Sequence, residues 1–415
     1  MALLDKLLGR PLASHEEEGQ KVGVVAGVPM LGLDALSSSA YGPEAALTLL
    51  LPLGLLGLRY IGPIILVILA ILAILYFSYR QTIAAYPTGG GSYTVASENL
   101  GVQWGLLAAA ALLLDYILNV AVGISAGIGA LVSAVPVLHD YILILCLATL
   151  GLLTVVNLRG IRESGMAFVL PTYLFVGSLG AVLGLGIFKT LTHGGHPVPV
   201  IPPPALPAAT ASVGLWLLMR SFASGCTAMT GVEAVSNGVS VFAEPAVPRA
   251  QRTLTVIVVI LGILLAGIAY LGKAYGIGAT DPDKAGYQSV ISQLVSAVIG
   301  RGFCYYVTIG SVLTVLALSA NTSFADFPRL CHLIAEDDFL PHAFAHKGRR
   351  LVYSLGITIL AGFSALLLIL FGGITDRLIP LFAVGAFLAF TLVFVWLFQL
   401  RYRAYKLTAQ REAIR

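Results

Sequence analysis

Ten long apolar segments, separated by short polar stretches, run through most of the sequence. Each is long enough, at ~20 residues per helix, to cross a hydrocarbon core of ~30 Å. The segments lie near residues 22–52, 59–80, 102–134, 139–157, 165–189, 211–242, 253–275, 300–322, 352–372 and 377–400. This pattern predicts an all-α polytopic membrane protein with ten transmembrane helices, of which the first and the sixth are expected to be discontinuous.

The first segment is interrupted by a polar stretch, LDALSSSAYGPEAA at residues 33–46. Its serines compete with the helix for backbone hydrogen bonds, and Pro43 removes a backbone N–H and disfavours helical geometry at Gly42. The carboxylates of Asp34 and Glu44 would be costly in hydrocarbon, so they are expected to line the interior of the bundle. The stretch therefore predicts a broken helix whose freed polar groups act as ligands.

The sixth segment carries a second polar stretch, MRSFASGCTAMTGVEAVSN at residues 219–237. Both stretches contain the pattern Gly-x-Glu-Ala, which begins at Gly42 in the first and at Gly231 in the second. Interrupted segments at corresponding positions of two halves indicate inverted repeats and mark the site of a secondary transporter. The expected regions are a cytoplasmic tail, repeat one, repeat two and a second cytoplasmic tail, at residues 1–21, about 22–189, about 211–400 and 401–415.

Composition agrees with a membrane protein, because 58% of the 415 residues are hydrophobic and only 11% are charged. The mean hydropathy is +0.92 and the formal net charge is +4, with no basic patch suited to nucleic acid. With the N-terminus inside, most Lys and Arg residues fall on the inner side of the predicted helices. This excess predicts a multi-pass protein of the plasma membrane with both termini in the cytoplasm. No catalytic or metal-ligand motif is present, so neither an enzyme nor a cofactor is expected.

Four carboxylates fall within the predicted helices, namely Asp34, Glu44, Asp115 and Glu233. A deep carboxylate in a low dielectric either pairs with a cation or takes up a proton, and both behaviours suit a cation-coupled transporter. The alternative is that each lies at a helix end near the headgroups or pairs with a buried basic residue such as Arg220. The depth of Asp34 and Asp115 in their segments favours a functional role, whereas Glu44 lies closer to the outer end.

A polar stripe accompanies the carboxylate of the third segment. Spacing by four residues places Asp115, Asn119 and Gly123 on one helix face, with Tyr116 beside them. Oxygen-rich surroundings of this kind suit a hard cation more than an apolar substrate. Near the second break, hydroxyl and thiol groups are supplied by Ser224, Cys226, Thr227 and Thr230. The alternative for any single hydroxyl is a bond to its own helix backbone.

Three motifs resemble the signatures of the KimA-type permeases, a group within the amino acid–polyamine–organocation superfamily. They are DALSSSAYGPE at 34–44, GCTAMTGVEA at 225–234 and NTSFADFPRL at 321–330, and the similarity extends over nearly the whole chain. The resemblance implies a LeuT-like fold of two inverted repeats of five helices, with helices one and six broken. It also implies potassium uptake coupled to protons.

The resemblance further implies specific site residues. Potassium is expected at Asp34, Tyr41, Asp115 and Thr230, and the candidates for proton coupling are Glu233, Asp34 and Asp115. Further contacts to the substrate are expected from Tyr116, Asn119 and Thr227, with backbone groups of the second break at Gly225 and Gly231. The sequence departs from the group's pattern at Asn119 and Gly123, where Thr and Ser are expected, and at Phe382, where Tyr is expected.

The alternative function is a proton-coupled amino acid or other small organic solute permease of the same fold. Such permeases typically have a glycine-rich first break whose free amides hold the substrate carboxylate. Here the break carries serines at 37–39 and a nearby acidic group, which argues against this function without excluding it. The expected partners are a small cation or small organic solute together with a proton, the lipid bilayer, and a second copy of the chain in a homodimer.

Overall fold

The computed structural model describes residues 21–391, with gaps at 88, 90, 160–164, 283, 285, 347, 349–351, 386 and 389–390. Within these residues the protein is helical, and β-type pairing is limited to an isolated parallel bridge between Val22 and Phe242. Apart from Lys21, both predicted tails lie outside the described residues, as do residues 392–400 of the tenth apolar segment.

The helices follow the predicted segments closely. In the first half they are α1 Val24–Ser37, α2 Gly42–Leu50, α3 Gly57–Ala85, α4 Ser92–Leu100, α5 Val102–Ala134, α6 Ile142–Leu158 and α7 Gly165–Thr192. In the second half they are α8 Leu215–Gly225, α9 Ala234–Asn237, α10 Ala246–Ala274, α11 Val290–Ile299, α12 Phe303–Glu336 and α13 Ser354–Leu370. A further helical stretch occupies residues 375–385, at the start of the tenth segment.

Six helical segments of the described chain are long and apolar enough to cross a membrane. They are Val24–Ala85, Val102–Ala134, Pro136–Leu158, Phe168–Thr192, Ala246–Ala274 and Phe303–Glu336. The first contains two predicted crossings, because its 62 residues include α1, α2 and α3. The remaining predicted crossings are shorter in the structure: the sixth is divided between α8 and α9, the ninth is the 17-residue α13, and the tenth is only partly described.

Both predicted breaks are present. The first segment changes from α-helix to a 3-10 turn at Ser38–Ala40, and α2 begins with Pro43 in its first turn. The hydroxyls at positions 37, 38 and 39 each bond to the carbonyl three residues earlier, as expected for serines that compete with the helix. In the sixth segment, a 3-10 turn at Cys226–Met229 and an extended Thr230 separate α8 from α9.

Helical structure also lies outside the predicted segments. The polar stretch between the eighth and ninth predicted segments is helical in its first part, because α12 continues to Glu336. The buried face of α12 continues past Pro328, from Phe324 and Phe327 to Cys331 and Ile334, and this spacing of three or four residues keeps one side of the helix packed. The short helix α4 lies in a stretch for which no helix was expected.

Corresponding helices of the two halves pack against each other. The broken segments meet through α2 and α8, the second and seventh crossings through α3 and α10, the third and eighth through α5 and α12, and the fourth and ninth through α6 and α13. Pairing of counterparts is the arrangement expected when two repeats are related by a pseudo-two-fold axis. The two breaks are thereby brought together inside the bundle.

Candidate ion-binding site between the two broken helices

The two breaks are in direct contact. The Ser38 hydroxyl lies 2.6 Å from the Ala228 carbonyl oxygen, and the Tyr41 hydroxyl lies 3.3 Å from Thr230 Oγ1. Gly42 allows this approach, because a Cβ at that position would lie 2.9 Å from Ala228 Cα. Polar side chains of the first break therefore reach the backbone and the hydroxyl groups of the second.

Asp34 lies in the last turn of α1, where its side chain is buried. The Asn119 amide of α5 donates a hydrogen bond to Asp34 Oδ2 at 3.0 Å and a second one to Ser323 Oγ of α12 at 2.9 Å. Asp34 Oδ1 has no hydrogen-bond partner among the described residues. The carboxylate thus has one oxygen held in place and one oxygen free.

The second break approaches Asp34 through Gly231 and brings Glu233 with it. Gly231 has a φ of +81°, and a Cβ there would lie 2.7 Å from Asp34 Cγ, so a side chain is excluded by both conformation and space. Its N–H donates to Glu233 Oε1 at 3.3 Å. Glu233 Oε2 has no hydrogen-bond partner within the described chain. A second carboxylate with a free oxygen therefore lies beside the first break.

Asp115, one turn before Asn119 on α5, supplies the third carboxylate. Its side chain is buried, and its Oδ1 also lacks a hydrogen-bond partner in the described part of the chain. The charges of Asp34, Asp115 and Glu233 lie within electrostatic range of one another. None of the ion pairs formed by the described residues includes any of the three. Arg220 does not neutralise them as a buried partner, because it is exposed.

The oxygen atoms of this cluster determine which ligands it can bind. Free carboxylate oxygens from α1, α5 and the second break, with the hydroxyls of Tyr41 and Thr230 nearby, are hard ligands. Buried carboxylates also bind protons, because burial penalises the charged form unless a cation compensates it. The cluster is therefore able to bind a small cation, protons or both.

Two of the predicted site residues, Thr227 and Gly225, have other contacts, whereas Tyr116 lies near the carboxylates. The Thr227 hydroxyl donates to the Ser224 carbonyl at 2.7 Å, which is the backbone bond considered as an alternative for such groups. Gly225 ends α8, and a Cβ there would lie 2.9 Å from Ile68 Cδ1, so its backbone packs closely against α3. Tyr116 is buried and within electrostatic range of the three carboxylates.

A small cavity lies between the first break and α11. Its lining includes Tyr41, Glu44, Tyr287 and Asp376, and it offers about 20 Å³ to the centre of a water-sized sphere, enough for a water molecule. Glu44 is buried and joins α2 to this end: its Oε1 accepts from the Tyr287 hydroxyl at 2.9 Å and its Oε2 accepts from the Val290 N–H at 3.1 Å. These bonds hold the start of α11 over the break.

The opposite end of the bundle has a similar contact. The Tyr93 hydroxyl of α4 donates a hydrogen bond to Asp337, directly after α12. Burial, together with the Asp337 carboxylate, raises the pKa of the Tyr93 phenol, which therefore stays protonated as a donor. Each end of the central site thus has a tyrosine–carboxylate hydrogen bond.

Sequence reasoning did not single out three further residues, Ser323, Tyr287 and Tyr79. Ser323 lies in the motif at 321–330, which was the signal available for it. Tyr287 comes from a loop whose proximity to the first break cannot be read from spacing. Tyr79 of α3 is buried, its hydroxyl has no partner among the described residues, and it lies within electrostatic range of Glu233.

The chain matches a known protein family and resembles a solved transporter structure. The family described as Amino acid permease matches the chain over residues 38–412. The chain belongs to this amino acid permease family. A solved structure of a Na⁺-coupled sialic acid symporter, in its substrate-bound outward-open state, matches the permease with a TM-score of 0.54 at 15% identity, covering 94% of the permease and 79% of that chain. The predicted fold class is confirmed by this likeness.

Two curated relatives are similar in sequence. The permease is 43% identical over 390 residues to the potassium transporter KimA of Bacillus subtilis (strain 168), an alignment that covers 93% of the permease and 62% of the relative. It is 24% identical over 279 residues to the low-affinity putrescine importer PlaP of Escherichia coli (strain K12), covering 64% and 57%. The permease thus spans less than two thirds of the length of each relative. The resemblance to KimA-type permeases is confirmed.

Proposed function

We propose that the permease is a secondary active transporter that imports potassium together with protons by alternating access. One observation carries the proposal: Asp34, Asp115 and Glu233 each keep a carboxylate oxygen without a hydrogen-bond partner in a buried site that no ion pair of the described residues reaches. Such a site attracts a cation. The name of the relative KimA, a potassium transporter, supports potassium as that cation.

The proposed roles follow from the contacts. Potassium binds at the free oxygens of Asp34 and Asp115, with the hydroxyls of Tyr41 and Thr230 completing its oxygen ligands. Glu233, whose other oxygen is held by the Gly231 N–H, is a candidate for the coupled proton, and Asp34 and Asp115 are the other two candidates. Hydroxyl and carboxylate oxygens suit an alkali cation better than a soft metal.

Uptake by the purified permease in liposomes tests this function. We expect Rb⁺, used as a tracer for potassium, to accumulate when an inward proton gradient is imposed. Asp34→Asn and Asp115→Asn should each reduce the initial rate by about tenfold or more, which corresponds to the loss of ~1.4 kcal/mol of binding free energy. Asp140→Asn is the matched control, because the Asp140 side chain is 92% exposed.

Two results would contradict parts of this proposal. Wild-type rates in both Asp34→Asn and Asp115→Asn would remove these carboxylates from the transport site. Rb⁺ uptake that does not depend on the proton gradient, but is reduced by both substitutions, would support the cation site and reject proton coupling.

A second candidate is a proton-coupled permease for an amino acid or another small organic solute. The family description and the putrescine importer among the relatives favour it, since free carboxylate oxygens also accept hydrogen bonds from an ammonium group. Thermal shifts of the purified protein with K⁺, Rb⁺, putrescine and a panel of amino acids distinguish the two functions. Stabilisation by an organic solute alone would select the second candidate.

The proposal includes the membrane location and the orientation of the transporter. We infer a plasma-membrane location with both termini in the cytoplasm, supported by the excess of Lys and Arg on one side of the predicted crossings. In this orientation, α11 and the cavity at Glu44 face the outside, whereas α4 and Asp337 face the cytoplasm. We also propose that the permease forms a homodimer.

A further inference from the structure

The Asn119 amide lies between two oxygens that belong to different helices. Its Nδ2 is 3.0 Å from Asp34 Oδ2 in α1 and 2.9 Å from Ser323 Oγ in α12, and all three side chains are buried. The amide nitrogen, and not its oxygen, faces Asp34, which is the orientation that an ionised carboxylate requires because it only accepts hydrogen bonds. Both amide hydrogens are thereby used within the site.

Ser323 is itself held in position by neighbouring contacts. Two residues earlier on α12, Asn321 accepts a hydrogen bond from the Asn157 amide of α6. On the other side, α5 lies close to α12, because a Cβ at Gly123 would be 3.1 Å from the Leu316 carbonyl oxygen. The position of Ser323 beside α5 is therefore set by the packing of α12 against α5 and α6, and the Asn119 amide lies between Ser323 Oγ and Asp34 Oδ2.

A nitrogen at about 3 Å from a carboxylate oxygen and a hydroxyl oxygen occupies a place that an alkali cation could take. The amide offers partial positive charge on its hydrogens, whereas a cation would offer a full charge. We propose that the Asn119 amide is a tethered substitute for a cation at this place, so that the site binds its transported cation only on the Oδ1 side of Asp34. Asn119 thus sets how many cations the site binds.

This inference rests on the proposed potassium site and predicts what happens when the amide is removed. Asn119→Ser shortens the side chain and replaces the donor with a hydroxyl oxygen, which leaves space and an additional ligand next to Asp34 Oδ2. We expect the variant to bind an additional Rb⁺ per protein molecule and to show a steeper dependence of thermal stability on K⁺ concentration. A purely structural role for Asn119 would lower stability without adding a bound ion.

The experiment measures equilibrium binding of Rb⁺ to the purified full chain, in wild type, Asn119→Ser and Asn119→Ala. Asn157→Ser is the matched control, because it makes the same substitution in a neighbouring buried network whose amide contacts Asn321 and no carboxylate. An additional ion in either Asn119 variant, and none in the control, supports the inference. The same number of ions in all four proteins overturns it.

Two further results separate this inference from the proposed function. Absence of Rb⁺ binding to the wild type would reject the potassium site itself, whatever the variants do. If the Asn119 variants do not fold, a structure of the wild type with Rb⁺ decides the question. Anomalous density adjoining Asp34 Oδ1, with the amide still bonded to Oδ2, supports the inference that the amide takes the place of a cation. Density between Asp34 Oδ2 and Ser323 Oγ overturns it.

Discussion

Individual hydroxyl groups inside the bundle differ sharply in how they are bonded. Tyr305 is buried and its hydroxyl lies 2.8 Å from Ser292 Oγ, so its polar atom is satisfied by a neighbouring helix. Tyr79 is equally buried, yet its hydroxyl has no partner in the part of the chain that the structure describes. An unpaired buried hydroxyl costs free energy that a hydrogen-bonded one does not.

The pair of tyrosines gives a test at the level of single residues. Tyr79→Phe should leave the free energy of unfolding unchanged or raise it by up to ~1 kcal/mol, because it removes an unsatisfied group. Tyr305→Phe should lower it by ~1 kcal/mol, because it leaves Ser292 without its partner. Thermal unfolding of the detergent-purified protein without K⁺ measures both. A large loss of stability in Tyr79→Phe would mean that its hydroxyl has a partner in solution.

The carboxylates of the candidate site were predictable from sequence, because ionisable groups are rare within apolar segments and therefore conspicuous. The spacing of four residues between Asp115 and Asn119 also predicted that both would lie on one face of α5. Their partner Ser323 was not predictable in the same way. Hydroxyls are common in membrane helices and most bond to their own backbone, as Thr227 does, so sequence alone did not identify the serine that bridges two helices.

Among the structural elements, the first break depends on contacts beyond its own turn. Ser38 and Ser39 are adjacent buried serines whose hydroxyls both bond to the carbonyl three residues earlier. Ser38 additionally reaches the Ala228 carbonyl in the second break. The two broken helices are therefore joined by a serine that the local pattern of the turn does not distinguish from its neighbour.

Substituting these two serines distinguishes the hydrogen bonds within the turn from the hydrogen bond between the two breaks. Ser38→Ala should lower the free energy of unfolding by about 1–2 kcal/mol, because it leaves a buried carbonyl of the other break without this partner. Ser39→Ala should cost much less, since it loses only a bond within its own turn. Chemical or thermal unfolding of both variants measures the difference. Equal losses would show that the contact between the breaks adds nothing to stability.

At this scale, the sequence predicted the breaks better than the ends of the helices. Pro43 and the glycines interrupt apolar runs and are visible without tertiary information. The extension of α12 to Glu336 was missed because Pro328 and charged residues interrupt the apolar run, although the buried face continues past them. The helix α4 was missed because its sequence, SYTVASENL, is short and mostly polar, and its buried side chains are fixed by contact with α5.

For the whole molecule, the two tyrosine–carboxylate hydrogen bonds at opposite ends of the bundle hold different elements over the central site. The bond from Tyr287 to Glu44 connects the start of α11 with the first broken helix. The bond from Tyr93 to Asp337 connects α4 with the end of α12. In alternating access one of these ends must open while the other remains closed, so weakening one bond should favour opening at that end.

Removal of the Tyr287 hydroxyl tests this expectation. A cysteine at Ala126, which lines the cavity near Glu44, reports access from that end, in a Cys304→Ser background because Cys304 is exposed. Tyr287→Phe should increase labelling by a membrane-impermeant thiol reagent about fivefold, which corresponds to ~1 kcal/mol of lost hydrogen bonding. Tyr270→Phe, on the exposed side of α10, is the control. Unchanged labelling would show that this bond does not keep the end closed.

The three neighbouring carboxylates also limit what the proposed transporter can do without a bound ion. Closing both ends around three negative charges, with no positive side chain of the described residues paired to them, would be strongly unfavourable in a membrane interior. A carrier built in this way can pass through its closed state only after cations or protons have neutralised the centre. For the proposed transporter, slippage, in which a partly loaded protein changes sides and lets the ion gradient run down, is therefore expected to be electrostatically unfavourable.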